Sequence, residues 1–458
     1  MAEHPSAGVR TPALAAGAAA PELLPPDHPQ RLALNDEVHA RPPEPLAAPL
    51  RASYVALLGD AAEREAALDA VRDLARRFGA AALPEPGANH YSADLGAFRL
   101  RWERHSEFTR CMVVAPGLGA DPFTDPAVAA VPAGWIAALP GQVVTAVHAA
   151  LVPGGPAAGE TGAPPPDIEE LSERHFAGNQ IIGGGIVGGR GEAFTDFRVH
   201  TDGFGRLLVR DRGMTPWQAG RMVQRLFEVE TYRILALLAF PLAKDLAPFL
   251  GGRERALSEI ATALIGAGEA DEAALHDRLT RLAAEIESRE AATLFRFGAA
   301  AAYYDLVRRR IAELRETRIE GLQTFEEFTE RRLAPAVATC AAVARRQEAL
   351  SGRVARVTQL LSTRVEITRE RQAFAVLASM NRRAHLQLRL QQTVEGLSVA
   401  AITYYLVGLV GYAAKALKTA GLWRVEPDIA MGVAVPVVAV LAALGLRRVR
   451  HGLARKND

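Results

Sequence analysis

Two long apolar segments near the C-terminus constrain the fold more than any other feature of this chain. Leu397 to Ala414 (LSVAAITYYLVGLVGYAA) and Ile429 to Leu446 (IAMGVAVPVVAVLAALGL) contain no charged residue. Each reaches the roughly 18 to 20 apolar residues that an α-helix needs to cross a bilayer. The sequence therefore predicts a C-terminal hairpin of two transmembrane helices at 396–446, with the lipid bilayer as its partner.

Basic residues around this hairpin predict its orientation. Arginines at 382, 383 and 389 precede the first segment, and the tail 447–458 is rich in Arg and Lys. The connecting loop carries fewer basic residues, and Glu426 and Asp428 partly offset them. Since Lys and Arg next to membrane spans favour the cytoplasmic side, both termini are expected in the cytoplasm. We expect a multi-pass protein of a bacterial inner membrane with a basic cytoplasmic tail.

The N-terminal half carries both strand and helix patterns. Residues 1–30 are rich in Ala and Pro and predict a disordered leader. A strand is predicted at Tyr54 to Leu58 and a helix at Ala61 to Phe78. Further strands are predicted at 111–114, 143–149, 181–199 and 206–209, the last two joined by a turn at 201–203. The fold class is therefore α+β, with a mixed-sheet cytoplasmic domain at 31–212 and a flexible loop at 153–166.

One further strand has a simple alternating pattern. Apolar side chains at Phe98, Leu100 and Trp102 alternate with charged ones at Arg99, Arg101 and Glu103. Such alternation is typical of a strand with one buried and one solvated face. We therefore expect the three charged residues to point to solvent.

Helix patterns dominate from Thr215 onward. Thr215-Pro216 predicts a helix start, and that helix is expected to run to Phe240, where Pro241 stops it. Residues 213–395 predict a helical bundle with one long stalk helix, with breaks expected at 266–268, 321 and 335. The stalk carries apolar residues at 4-3-4 spacing, which favour either a coiled coil between copies in a homo-oligomer or a packed bundle. They are Leu350, Val354, Val357, Leu361, Phe374, Leu377, Ala384 and Leu388.

Composition excludes several function classes. A net charge of +1 predicts no nucleic-acid partner, and the two cysteines, Cys111 and Cys340, are too far apart for a zinc motif. The run Gly183 to Gly188 (GGGIVG) matches the dinucleotide fingerprint, which requires a helix immediately after it. A strand pattern follows instead, so a strand or bulge softened by glycine is the favoured interpretation, and no cofactor is expected.

Three polar segments form the candidate ligand site. They contain Asp36, Glu37 and His39; His105 and Glu107; and His200 and Asp202. If the segments meet in space, these side chains suit a divalent metal or a phosphate. The structural alternative, which we favour, is that Asp202 makes a turn and the histidines satisfy buried backbone groups.

Four residues of the first apolar segment form a second candidate site: Thr403, Tyr404, Gly408 and Gly411. Polar-edged side chains in the middle of a span are typical of a pore lining, whereas glycines at this spacing let helices pack closely. Because no ionisable group marks an ion path, helix packing is the favoured interpretation.

Several strings resemble one protein family over nearly the whole chain from Arg31 to about Leu446. They are LNDEVHARP at 34–42, EFTR at 107–110, DFRVHTDGF at 196–204, GRMVQRLFEVETYR at 220–233 and LQLRLQQTVEGLSVAAITYYLVGLVGY at 386–412. The family is an uncharacterised group of bacterial membrane-anchored proteins, domain of unknown function 3422. The resemblance implies a membrane anchor and supplies no catalytic residues.

The order of domains also resembles that of the CorA-type divalent-cation channels, which are ring-shaped homo-oligomers. Those channels carry Gly-Met-Asn at the outer end of the first span, where this chain has Gly411-Tyr412-Ala413. The leading hypothesis is therefore an oligomeric, non-enzymatic scaffold or sensor whose α+β domain binds a protein or small ligand. A CorA-like cation channel or transporter is the alternative, and an enzyme that uses Asp36, Glu37 and His39 is a third.

Overall fold

The computed structural model describes residues 27–32, 34–35, 43–155, 167–422, 424 and 426–454. Most of the expected leader and of the expected loop at 153–166 lie outside these residues. The chain divides into two compact units. The first comprises Met1–Ser258 and Arg281–Val354, and the second comprises Glu259–Thr280 and Ala355–Asp458.

Eight strands form one mixed sheet in the first unit. In chain order they are β1 (Leu50–Leu58), β2 (His90–Asp94), β3 (Arg99–Arg104), β4 (Phe108–Pro116), β5 (Gln142–Pro153), β6 (Ile182–Ile186), β7 (Gly191–Thr195) and β8 (Gly205–Asp211). The order across the sheet is β2-β3-β4-β1-β5-β8-β7-β6. Only β5 and β8 are parallel among the paired strands described. The expected α+β class is confirmed.

Eight α-helices complete the described architecture. They are α1 (Ala61–Arg77), α2 (Ile168–Phe176), α3 (Pro216–Leu237), α4 (Ala239–Gly266), α5 (Glu269–Leu314), α6 (Phe325–Arg332), α7 (Ala334–Thr419) and α8 (Pro427–Ala454). The breaks expected at 266–268, 321 and 335 can be compared with the helix ends. Helix α4 ends at 266, α5 ends at 314, before Gly321, and α7 starts at 334.

Both faces of the sheet are covered. On one face, Tyr54 and Val147 pack against α3 at Phe227 and against α5 at Ile311. On the other face, Trp102 lies in a core that includes α1. Burial on both sides leaves strands β3 to β5 with few solvent-facing positions, so a charged residue in them has to find a partner inside.

Local capping explains where two of these helices begin. Asp60 and Glu63 form a reciprocal capping box at α1, each carboxylate accepting the other residue's backbone N–H at 2.8 Å. Thr215 and Gln218 form the same motif at α3, with Pro216 in the first turn. The expected end of α3 at Phe240 is wrong, because the helix ends at Leu237. Pro241 lies in the first turn of the next helix, which begins at Ala239, because a first turn does not need the N–H that proline lacks.

The expected strand at 181–199 is also wrong, since residues 196–199 are not in a strand and the remainder is divided. It is two strands, β6 and β7, because Val187, Gly188 and Gly189 have φ values of 55°, 65° and 87°. Positive φ at consecutive residues turns the chain back on itself. The turn expected at 201–203 is present in the longer connection from β7 to β8.

The glycine run has a packing role at the edge of the sheet. Gly183 N–H donates to Gln323 O and Gly185 N–H donates to Thr317 O, both at 2.9 Å. A Cβ on Gly184 would lie 2.8 Å from Thr317 O, so only glycine allows this approach. Segment 315–323 thereby covers the open edge of β6. Since a turn and a strand follow the run, the dinucleotide interpretation is excluded.

Three helical segments are long and apolar enough to cross a membrane, judged by length and composition within the described residues. They are Pro216–Gly266, Phe325–Thr419 and Pro427–Gly445. A third of the most apolar stretch of Pro216–Gly266 is buried in the fold, whereas none of Pro427–Gly445 is. Segment Pro216–Gly266 is therefore partly buried in the fold, whereas the described residues leave the apolar side chains of Pro427–Gly445 exposed.

In the second unit, α7 packs against the end of α4 and the start of α5. Arg364 is the main polar contact, with its Nε 2.8 Å from Glu272 Oε1 and its Nη1 2.7 Å from Leu264 O. Leu361, one turn earlier, is fully buried. Near Leu361 and Arg364, one side of α7 is thus covered by residues of the same chain.

Candidate functional site

The highest concentration of buried charge lies on the sheet face that α3 covers. Glu103 on β3 stands directly opposite Arg110 on β4 in the strand register. Arg101 lies two residues before Glu103, so both project to the same face of the strand. The expectation that Arg101 and Glu103 point to solvent is therefore wrong, because they are only 5% and 1% exposed.

Glu103 is held by two guanidinium groups. Arg110 Nη2 and Nε lie 2.5 and 2.9 Å from Glu103 Oε2. Arg101 Nε donates to Glu103 Oε1 at 2.6 Å. Both carboxylate oxygens therefore accept charge-assisted hydrogen bonds, which are about twice as strong as neutral ones.

The network continues onto two helices. Arg110 Nη1 donates to Glu228 Oε1 on α3 at 3.1 Å, and Gln224 Nε2 donates to the same oxygen at 2.9 Å. Arg310 on α5 donates to Glu228 Oε2. The Arg310 Nη1 atom also lies 3.1 Å from Glu313 Oε2. One chain of ionic contacts therefore joins β3, β4, α3 and α5.

Burial and charge act in opposite directions on the carboxylates of this network. Burial alone would raise the pKa of Glu103, but the charge of Arg110 and the hydrogen bonds from His105 and Arg101 hold it well below its usual range. Glu228 follows the same pattern, and Arg110 and Arg310 lower its pKa. Both groups stay ionised at neutral pH, so the interior contains a permanent network of alternating charges.

A small cavity adjoins the network. Its volume is about 20 Å³, and its lining includes Arg101, Glu103 and Arg110 together with Tyr54 and Phe227. A space of this size with several polar partners suits a single water molecule. The network can therefore fix the position of sheet against helices, but this cavity has no room for a substrate.

A second cluster, in which Ser53 and His148 are buried, combines the residue types of a hydrolase triad. Ser53 Oγ lies 2.9 Å from His148 Nδ1, whereas His148 Nε2 lies 3.9 Å from Asp202 Oδ2. The second distance is too long for a hydrogen bond. The Val128 N–H already donates to Ser53 Oγ at 3.0 Å, and the ring of Phe204 stacks on the imidazole at 3.9 Å. The cluster therefore fits a structural role rather than nucleophilic attack.

The structure describes two of the three predicted polar segments, at 105–107 and 200–202. His105 stacks on Phe108 at 4.3 Å between ring centroids. Glu107 Oε2 lies 3.0 Å from Arg296 Nη2 on α5. His200 Nε2 lies 3.0 Å from Asp196 Oδ2, and Asp202 accepts the Phe204 N–H at 2.9 Å.

Asp36, Glu37 and His39 lie outside the described residues. In the part of the chain that is described, no group of three or more His, Cys, Asp or Glu side chains is placed to hold a metal ion. The metal or phosphate site built from all three segments therefore stays a prediction.

The residues named in the first apolar segment show helix contacts. Thr403 Oγ1 donates to Val399 O of its own helix at 2.7 Å. A Cβ on Gly411 would lie 2.4 Å from Met431 Sδ of α8, whereas none of the described atoms lies within 4 Å of such a Cβ on Gly408. Tyr404 is 79% exposed. Gly411 is thus the point of close approach between the two helices.

Sequence reasoning missed the ionic network. One signal was present: Glu228 lies between the apolar residues Phe227 and Val229 of α3. A carboxylate within the buried side of a helix needs a partner inside the fold, which points to a buried cation. Nothing local identified that cation as Arg110.

Comparison with known proteins gives one result for the family and none for individual relatives. Searches of curated proteins and of solved structures found no match. A family model described as a protein of unknown function, DUF3422, matches residues 26–453. This match covers nearly the whole chain, in agreement with the strings at 34–42, 196–204 and 386–412. The chain therefore belongs to the DUF3422 family.

Proposed function

We propose that this protein is a membrane-anchored scaffold or sensor of the bacterial inner membrane. The C-terminal part of α7 and helix α8 would form the anchor, and the sheet unit would face the cytoplasm. The proposal rests on one observation: these two helices expose a large apolar surface.

The exposure of individual side chains supports this anchor. Leu397, Leu409, Val433 and Leu441 are 75%, 62%, 64% and 63% exposed. Uncovered apolar surface on this scale is disfavoured in water, and a bilayer removes the cost. By contrast, Leu235 and Leu250 of the segment Pro216–Gly266 are fully buried. The exposure pattern therefore favours two spans rather than three.

Contacts within the hairpin favour an anchor over a pore. The Thr403 hydroxyl is satisfied within its own helix, and Gly411 is in close contact with Met431. Both are features of packed membrane helices. No charged residue lies in either apolar segment to attract an ion.

The ionic network supports a binding or relay role for the cytoplasmic part. Buried charges that link strands to helices have few alternative arrangements, because breaking a contact removes a charge-assisted hydrogen bond from a group that water does not reach. A partner or ligand that shifts β3 or β4 would therefore change the positions of α3 and α5. This coupling is what a scaffold or sensor requires, and it needs no catalytic group.

Thiol labelling of the full-length chain tests the proposed topology. Leu422→Cys places a thiol in the short connecting loop, and Val376→Cys places one on α7 before the first apolar segment. Both native positions are exposed, at 76% and 58%. A membrane-impermeant maleimide added to intact spheroplasts is expected to label the cysteine at 422 and to reach the one at 376 only after lysis. Labelling of both, or of 376 alone, before lysis would contradict the proposal.

A further inference from the structure

One face of α7 carries a heptad of side chains that the described residues leave uncovered. Positions 360, 367, 374, 381 and 388 hold Leu, Ile, Phe, Asn and Leu, each seven residues from the next. We call these five residues the seam. Its four apolar members are between 44% and 65% exposed. A sustained seven-residue repeat is the pattern of an a position in a coiled coil.

The repeat continues at the d positions in the C-terminal half of the seam. Leu377 and Ala384 lie three residues after Phe374 and Asn381. Leu377 is 59% exposed. From Phe374 to Leu388 the a and d positions thus form one narrow apolar stripe interrupted only by Asn381.

The rest of the chain covers a different flank of α7. Arg364, which contacts the end of α4 and the start of α5, occupies the e position of the same heptad count, and the fully buried Leu361 occupies the b position. The seam is therefore left for another partner, and the repeat length says that this partner is also a helix.

We propose that the seam packs on the same seam of a second copy of this chain, as a parallel coiled coil in register. This inference rests on the proposed membrane anchor. Two copies that enter one bilayer at Leu397 run in the same direction and start at the same height. Each seam residue then faces its own counterpart, so a self-complementary stripe is required, and a heptad of a positions supplies one.

Two polar positions agree with this arrangement. Asn381 would meet the partner's Asn381, and a buried Asn at an a position specifies register and oligomer state. Glu366 occupies a g position and Arg371 the e position five residues later. In a parallel pair these two positions lie next to each other across the interface, so the charges attract.

Glu370 opposes the arrangement, because it occupies a d position and would meet its counterpart. Replacing it with leucine, Glu370→Leu, would remove that repulsion and connect Ile367 to Phe374 by apolar contacts. The variant is expected to tighten self-association by about tenfold or more, since burial of a leucine-sized side chain alone contributes about that factor. Unchanged association in this variant would overturn the proposed register.

Disulfide crosslinking in native membranes tests the seam directly. Phe374→Cys and Asn381→Cys place thiols at a positions, and Val376→Cys is the matched control at an outer position. Phe374 and Val376 are similarly exposed, at 63% and 58%. Both native cysteines are buried, and burial raises the pKa of Cys111 to about 12, so the wild-type chain gives the background.

The expected result is a crosslinked dimer for both seam variants and only background for Val376→Cys. Equal crosslinking at all three positions, or none at the seam, would overturn the inference. The membrane pellet is assayed in the same experiment. A chain absent from the pellet contradicts the proposed anchor, whereas a chain present there without seam crosslinks contradicts only the proposed pairing.

Discussion

Replacing Glu103 with glutamine is expected to lower the free energy of unfolding by about 3 to 5 kcal/mol, because it removes one charge from a buried, hydrogen-bonded network. Glutamine keeps one acceptor oxygen and replaces the other with an NH2 group, which would face the guanidinium of either Arg110 or Arg101. Arg110 would keep Glu228 as a partner. Urea denaturation of the full-length chain in detergent, followed by circular dichroism, measures the change.

The same substitution at Glu65 provides the control. Glu65 pairs with Arg104, which is adjacent in sequence to Glu103, but the Glu65 side chain is 46% exposed. Exposed ion pairs contribute about 0 to 1 kcal/mol. Glu65→Gln is therefore expected to cost little. Similar small losses for both variants would show that the buried network is not an important contributor to stability.

Lowering the pH from about 6.5 to about 4 is expected to destabilise the fold through His148. Burial lowers the pKa of this histidine from 6.5 to about 4, with Asp202 opposing and Arg206 assisting the shift. Between these values the unfolded chain binds a proton that the folded chain does not, so stability falls as the pH falls. The full shift corresponds to about 3 kcal/mol. The window above pH 4.5 separates this effect from the titration of Glu103 and Glu228, which lose their stabilising charge only below that value.

His148→Phe isolates the contribution of this residue. Phenylalanine keeps a ring to stack on Phe204, although Ser53 loses one of its two hydrogen-bond partners, so a uniform loss of stability is expected at all pH values. The dependence on pH between 6.5 and 4.5 should become shallower. His175, whose pKa burial also lowers, retains a smaller dependence of the same sign. An identical slope in the variant and the wild type would show that His148 does not titrate as described.

Local sequence patterns predicted most of the secondary structure for a physical reason. The helix start at Thr215-Pro216 and the apolar repeat of the first helix act over a few residues and can be read directly. Errors arose where one signal has two meanings. Pro241 ends one helix in the prediction but lies in the first turn of another in the structure, and the glycines at 188 and 189 divide one expected strand into two.

The candidate site was harder to predict because it depends on contacts between distant residues. Arg101 and Glu103 alternate with apolar neighbours as a solvated strand face would, yet α3 and α5 cover that face. The pairing of Arg110 with Glu228 joins residues 118 apart in sequence. No local pattern encodes such a pairing, whereas the apolar segments at 397–414 and 429–446 were visible at once because each is contiguous.

Alkaline extraction of membranes that contain the full-length chain tests the central claim, the hairpin anchor, most directly. Carbonate at high pH releases proteins that are held by charge or by partner proteins. Spanning helices stay with the lipid, because only the lipid shields their apolar surface from water. We expect the chain to remain in the membrane pellet after extraction. Recovery of the chain in the supernatant would contradict the hairpin anchor, and a protein partner would then have to cover Leu397, Leu409 and Leu441.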